Sequence, residues 1–122
     1  MKDEKGDEPE DLRLRTKRFA LSIIRLSVKL PRNDEVSVMR KQMLRSGTSV
    51  AAHYREACRA RSNAEFISKI EGALQELDET ALWMELLVES KLCDWPALRE
   101  LHKESDELTR ILVTVVKNTK GK

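Results

Sequence analysis

A chain of 122 residues supports one hydrophobic core and is too short for two independent ones. With 36% charged and 40% hydrophobic residues, 4% aromatics, 4 glycines and 3 prolines, the composition favours helices over a β-sandwich, which needs more turn, β-branched and aromatic residues. The formal net charge of +2 hides a steep division: residues 12–61 carry thirteen Lys and Arg against three Asp and Glu, and residues 62–107 carry four against twelve.

Residues 1–11 hold almost nothing apolar beyond Met1 and are expected to form a disordered acidic tail ending in Asp11, the expected cap of a first helix. Leu12, Phe19, Ile23, Leu26 and Leu30 recur at nearly helical spacing. Pro31 ends the run, because the residue before a proline avoids the α region, and this predicts a helix over 12–30. Asn33 or Asp34 can cap a second helix over 34–61, with Glu35 at the positive end of its dipole and a stripe of Val36, Met39, Met43, Val50, Tyr54 and Ala57. Gly47 lies within the small-residue run 46–52. A glycine in mid-helix costs about 1 kcal/mol against alanine, so close approach of a neighbouring helix is expected there.

Ser62-Asn63-Ala64-Glu65 reads as a capping box that opens a third helix over 63–90, with Phe66, Ile70, Leu74, Leu77, Ala81, Met84 and Val88 as its stripe. Asp94 is the expected cap of a fourth helix over 95–117, with Cys93 and Leu98 as a hydrophobic staple. Leu98, Leu101, Ser105, Leu108, Leu112 and Val115 then alternate threes and fours, as in a coiled-coil seam, and residues 119–122 form a basic tail. Connections this short force neighbouring helices to run antiparallel. The fold class is therefore all-α, an up-down-up-down antiparallel four-helix bundle over residues 12–118.

No run approaches a membrane span, since Ser27 and Lys29 interrupt the richest segment, and the start lacks the apolar stretch of a signal peptide. Cys58 and Cys93 form no C-x-x-C pair, which suits a reducing cytoplasm. No Glu-x-x-His, H-E-x-x-H, Gly-rich phosphate loop or nucleophile elbow occurs, so no metal, cofactor or catalytic residue is expected. His102 reads as a solvated surface residue, and His53, one turn from Ser49, as a hydrogen-bonding link between helices. The crowded Glu76, Asp78 and Glu79 read as a solvated or salt-bridged face rather than an acid–base pair.

Two surfaces remain. Lys41, Arg45, Arg55 and Arg59 form a basic line on helix 2, with Thr48 and Ala52 in its middle, and Arg15 and Arg18 add basic charge on helix 1. Such a line can bind a phosphate backbone of RNA or DNA, or meet the acidic flank of helix 3 in the same or another subunit. With few aromatics nearby, nucleic-acid binding would be driven by the backbone and sensitive to salt. On helix 3, Leu82, Trp83 and Leu86 lie off the core stripe beside Glu71 and Asp78, the pattern of a subunit interface. Trp83 alone can instead tuck beside helix 4.

The segments LRSGTSVAAHYREACRARSNAEFISKI (44–70) and ALQELDETALWMELL (73–87) resemble the bacterial "four helix bundle protein" family, which includes products of reading frames in the intervening sequences of large-subunit ribosomal RNA genes. The family is more distantly related to accessory variability proteins of diversity-generating retroelements. The resemblance implies a homopentameric ring of four-helix bundles without catalytic activity, and it raises a reverse transcriptase-like partner and nucleic acid as ligands of the basic surface. His53 stands where the family usually has Asn, and Ala57 where many members have Gly. Two non-enzymatic functions follow as expectations: an oligomeric scaffold that binds nucleic acid or a ribonucleoprotein, or an adaptor that binds protein alone.

Overall fold

A computed structural model describes the backbone of residues 9–122 and the side chains from Asp11 onward. Four helices follow one another: α1 (Pro9–Lys29), α2 (Asp34–Cys58), α3 (Asn63–Glu89) and α4 (Pro96–Lys120). Each packs against the next, and α4 returns to α1 by the sparsest of the four seams. Links from Arg45 to Glu79 and from Glu56 to Lys69 set α2 and α3 antiparallel, and those from Glu85 to His102 and from Glu71 to Lys120 do the same for α3 and α4. The cyclic order makes α1 and α2 one layer of the bundle and α3 and α4 the other.

The caps explain where two of the helices begin. The Asn33 side chain accepts from the Val36 amide at 2.9 Å, and Ser62 accepts from the Glu65 amide at 3.1 Å. Glu65 accepts from the Arg61 amide at 3.0 Å, one residue before the reciprocal contact of a strict capping box. The other two starts differ from expectation. α1 begins at Pro9, a residue suited to a first turn because its missing N–H would lack a partner there. Asp11 therefore lies inside the helix and is not its cap. The remainder of the expected tail, residues 1–8, falls outside the described residues. α4 begins at Pro96 with Trp95 in the cap position, while the Asp94 carboxylate accepts from Arg99 at 2.6 Å. It also runs on to Lys120, so the first half of the expected basic tail, Thr119 and Lys120, is helical.

The core holds the expected apolar positions of α1 and α2 except Met39, which packs half-buried against it, together with Ile70, Leu77 and Met84 of α3 and Leu98, Leu101, Leu108 and Leu112 of α4, where Val116 is buried in place of the expected Val115. Gly47 sits where α1 comes closest, since a Cβ there would lie 2.8 Å from Cγ1 of Ile23. The buried centre of α3 is rotated from the expected stripe toward Ala73, Thr80 and Leu87, leaving Phe66, Leu74 and Val88 on its half-buried edge. Small residues let α2 approach on that side, where the Ser46 and Thr80 hydroxyls meet at 2.7 Å. Thr80 also donates to the Glu76 carbonyl at 2.7 Å, so neither hydroxyl is buried without a partner.

Candidate functional surface

Lys41 and Arg55 are exposed on the outer side of α2, opposite the buried Met43, Val50 and Tyr54, and Arg59 is exposed at the C-cap, since the helix ends at Cys58 rather than at the expected 61. None of the three has an ion pair among the described residues. Arg45 lies at the α3 edge of this line and is already engaged. It donates to Glu79 at 2.6 Å and approaches Glu76 at 3.5 Å.

Helix α1 divides its basic residues between two edges. Arg15 faces α4, where its guanidinium donates through two nitrogens to Glu104 at 2.8 and 2.9 Å and through one to Glu107. The Glu104 hydrogen bonds hold its pKa well above the usual arginine range, with partial burial working against them. Arg18 rims a groove of about 490 Å³ between α1 and α4, with Phe19, Leu26 and Leu101 below and Glu100 and Glu104 across from it. Arg15 and Arg18 are therefore not continuous with the α2 line. The α1 cations on the α2 side are Arg13 and Lys17, both exposed, and Arg13 is close enough to Tyr54 for its charge to act on the phenol. Their four-residue spacing was legible, but the side of the bundle on which they lie depends on how α1 rolls against α2.

Leu82 and Leu86 are exposed by 46% and 39% on the outer side of α3, and Glu71 and Asp78 are exposed beside them. Trp83 is half-buried against the core, with its indole N–H enclosed and without a hydrogen-bond partner among the described residues. Lys120 reaches Glu71 at 3.8 Å, and Asp78 has no ion pair among the described residues.

The histidines occupy different roles from those expected. His53 Nδ1 donates to the Ser49 carbonyl of its own helix at 2.9 Å, and the far edge of the ring rests against Gly72. It joins α2 to α3 by fit rather than by a hydrogen bond across the seam. His102 is half-buried and contacts Glu85 at 2.7 Å, which ties α4 to α3. Among the described residues no group of three or more His, Cys, Asp or Glu could hold a metal ion, and no helix is long and apolar enough to cross a membrane. The arrangement offers charged and apolar faces for binding.

The model of the 23S rRNA-intervening sequence protein family matches residues 11–114. A solved structure from Bacteroides thetaiotaomicron, described as a protein of unknown function from the S23 ribosomal protein family, is 36% identical, with a TM-score of 0.80. The similarity covers 86% of this chain and 97% of that one. No curated protein matches the sequence.

Proposed function

Because the chain belongs to the 23S rRNA-intervening sequence protein family, we propose that it is a non-enzymatic, cytoplasmic scaffold. It assembles as a homo-oligomer, pentameric on the resemblance drawn from the sequence, and binds a nucleic-acid backbone through the outer face of α2. One observation carries the reading: Lys41, Arg55 and Arg59 stand on that face without an ion pair among the described residues. Charges placed in this way can release counterions from a phosphate chain, which makes affinity fall as salt rises. Native mass with and without nuclease treatment, followed by gel shifts on single-stranded and duplex RNA across a salt series, tests the reading. Nuclease-sensitive mass and binding that weakens with salt support it. No binding at low salt defeats it.

The engagement of Arg45 by Glu76 and Glu79, and of Arg15 by Glu104 and Glu107, favours a second reading, an adaptor that binds protein alone, a polymerase included. Under that reading, reversing Lys41, Arg55 and Arg59 disrupts assembly and RNA binding is absent throughout.

A further inference from the structure

Helix α1 has a second apolar stripe, turned away from the core. Leu14, Leu21, Ile24 and Val28 are all exposed, Val28 by 66%. At about 100° per residue they fall within about 80° of one another, on the side of α1 opposite Phe19 and Ile23. Lys17 falls within the stripe, Arg13 borders it on one edge and Arg18, Arg25 and Lys29 on the other, with no carboxylate in residues 12–29.

The outer face of α3 has the converse pattern. Leu82 and Leu86 project between Glu71, Asp78 and Glu89 on one edge and Glu79 on the other. Lys17, Arg25 and Lys29 on α1, and Asp78 and Glu89 on α3, have no ion pair among the described residues. Both helices pack on α2 and α4, so they stand on the bundle's diagonal with their outer faces on opposite sides of the subunit.

We propose that these faces are the two halves of one subunit contact, with the outer face of α1 in one copy lying along the outer face of α3 in the next. The inference rests on the self-assembly proposed above and names the surfaces that would make it. The occupant of each face is a second copy because the two match in charge and both offer apolar side chains. Like faces are excluded, since α1 on α1 would bring cations together and α3 on α3 carboxylates. The contact is therefore head-to-tail: every copy uses both faces, and repetition closes into a ring when the rotation between neighbours allows it.

Native mass against protein concentration, with circular dichroism as the check on folding, tests the contact. The variant Lys17→Glu/Arg25→Glu and the variant Asp78→Lys/Glu89→Lys should each raise the concentration needed for assembly at least tenfold. The chain carrying all four reversals should return toward the wild-type value. Leu21→Asp/Ile24→Asp, at two exposed positions, should leave a helical monomer. A wild-type chain that stays monomeric at every concentration would overturn both the self-assembly and this contact. A wild-type oligomer whose mass survives the separate reversals, or a four-site chain that stays dissociated, overturns the contact alone. Lys41→Glu/Arg55→Glu/Arg59→Glu should assemble as the wild type does, and its dissociation would move the contact to α2.

Discussion

Gly72 and His53 fit as notch and ring. A Cβ at position 72 would lie 2.5 Å from His53 Cδ2 and 2.9 Å from Nε2, closer than side chains tolerate. Gly72→Ala should therefore destabilise the bundle, by about 1–3 kcal/mol for an overpacked interior. With His53→Ala the obstruction is gone, and the same change should gain up to about 1 kcal/mol of helix propensity. Denaturant midpoints for the four-variant cycle read this reversal of sign, and strictly additive effects would count against the fit. Lys91 offers the opposite case. It follows the end of α3 with φ at 65°, a left-handed conformation that costs an L side chain about 1 kcal/mol or more. Lys91→Gly should raise stability by about that amount, measured as a higher unfolding midpoint. The close approach at Gly47 was legible because a glycine in a strong helix needs compensation. Gly72 carried the same signal, but spacing alone does not say which ring fills the space.

Among the elements, the seam between α1 and α4 is the most exposed to perturbation. The paired hydrogen bonds of Arg15 to Glu104 help close it, and lysine reproduces neither their planarity nor their number. Arg15→Lys should cost about 1 kcal/mol and speed amide exchange in α1 more than in α3, whereas uniform acceleration would point to a global effect. The interior also sets an alkaline limit. Burial raises the pKa of Tyr54 above its ordinary 10.0 and that of Cys93 above its ordinary 9.0, with the neighbouring Cys58 and Asp94 adding to the respective shifts. Both groups favour their neutral forms in the folded chain. Their contribution is full at neutral pH and falls as pH rises through the thiol and phenol ranges, so chemical denaturation should need less denaturant at pH 10 than at pH 7. Helical periodicity made the four helices legible. The roll of α3 was less so, because Ala73 and Thr80 carry little hydrophobic signal yet occupy its buried centre. Asp94 looked like a cap by residue type, but its carboxylate binds Arg99, and Pro96 opens α4 instead.

Across the whole molecule, charge is divided by helix: α1 and α2 together hold ten Lys and Arg against five Asp and Glu, α3 holds one against seven, and α4 is near balance with five against four. The division was legible from residue order. The pairing of charges across the seams was not, since it depends on which edge of a helix each side chain occupies. Lys41→Glu/Arg55→Glu/Arg59→Glu should weaken RNA binding at least tenfold and reduce the slope of log affinity against log salt by about 2–3, near one unit for each phosphate no longer neutralised. An unchanged slope would place the phosphate-binding cations elsewhere, with Arg13 and Lys17 the next residues to test. The sparse α1–α4 seam also bears on the order in which the chain acquires structure. The α2–α3 hairpin joins neighbours through a short connection and forms the most extensive seam in the bundle, so it should be well formed at the folding transition state. Synthesis delivers α1 before the other three helices, yet α4, which closes the ring around the core, emerges after them. The N-terminal helix must wait for the C-terminal one, with the apolar side chains of Phe19 and Leu26 open along that edge until it arrives.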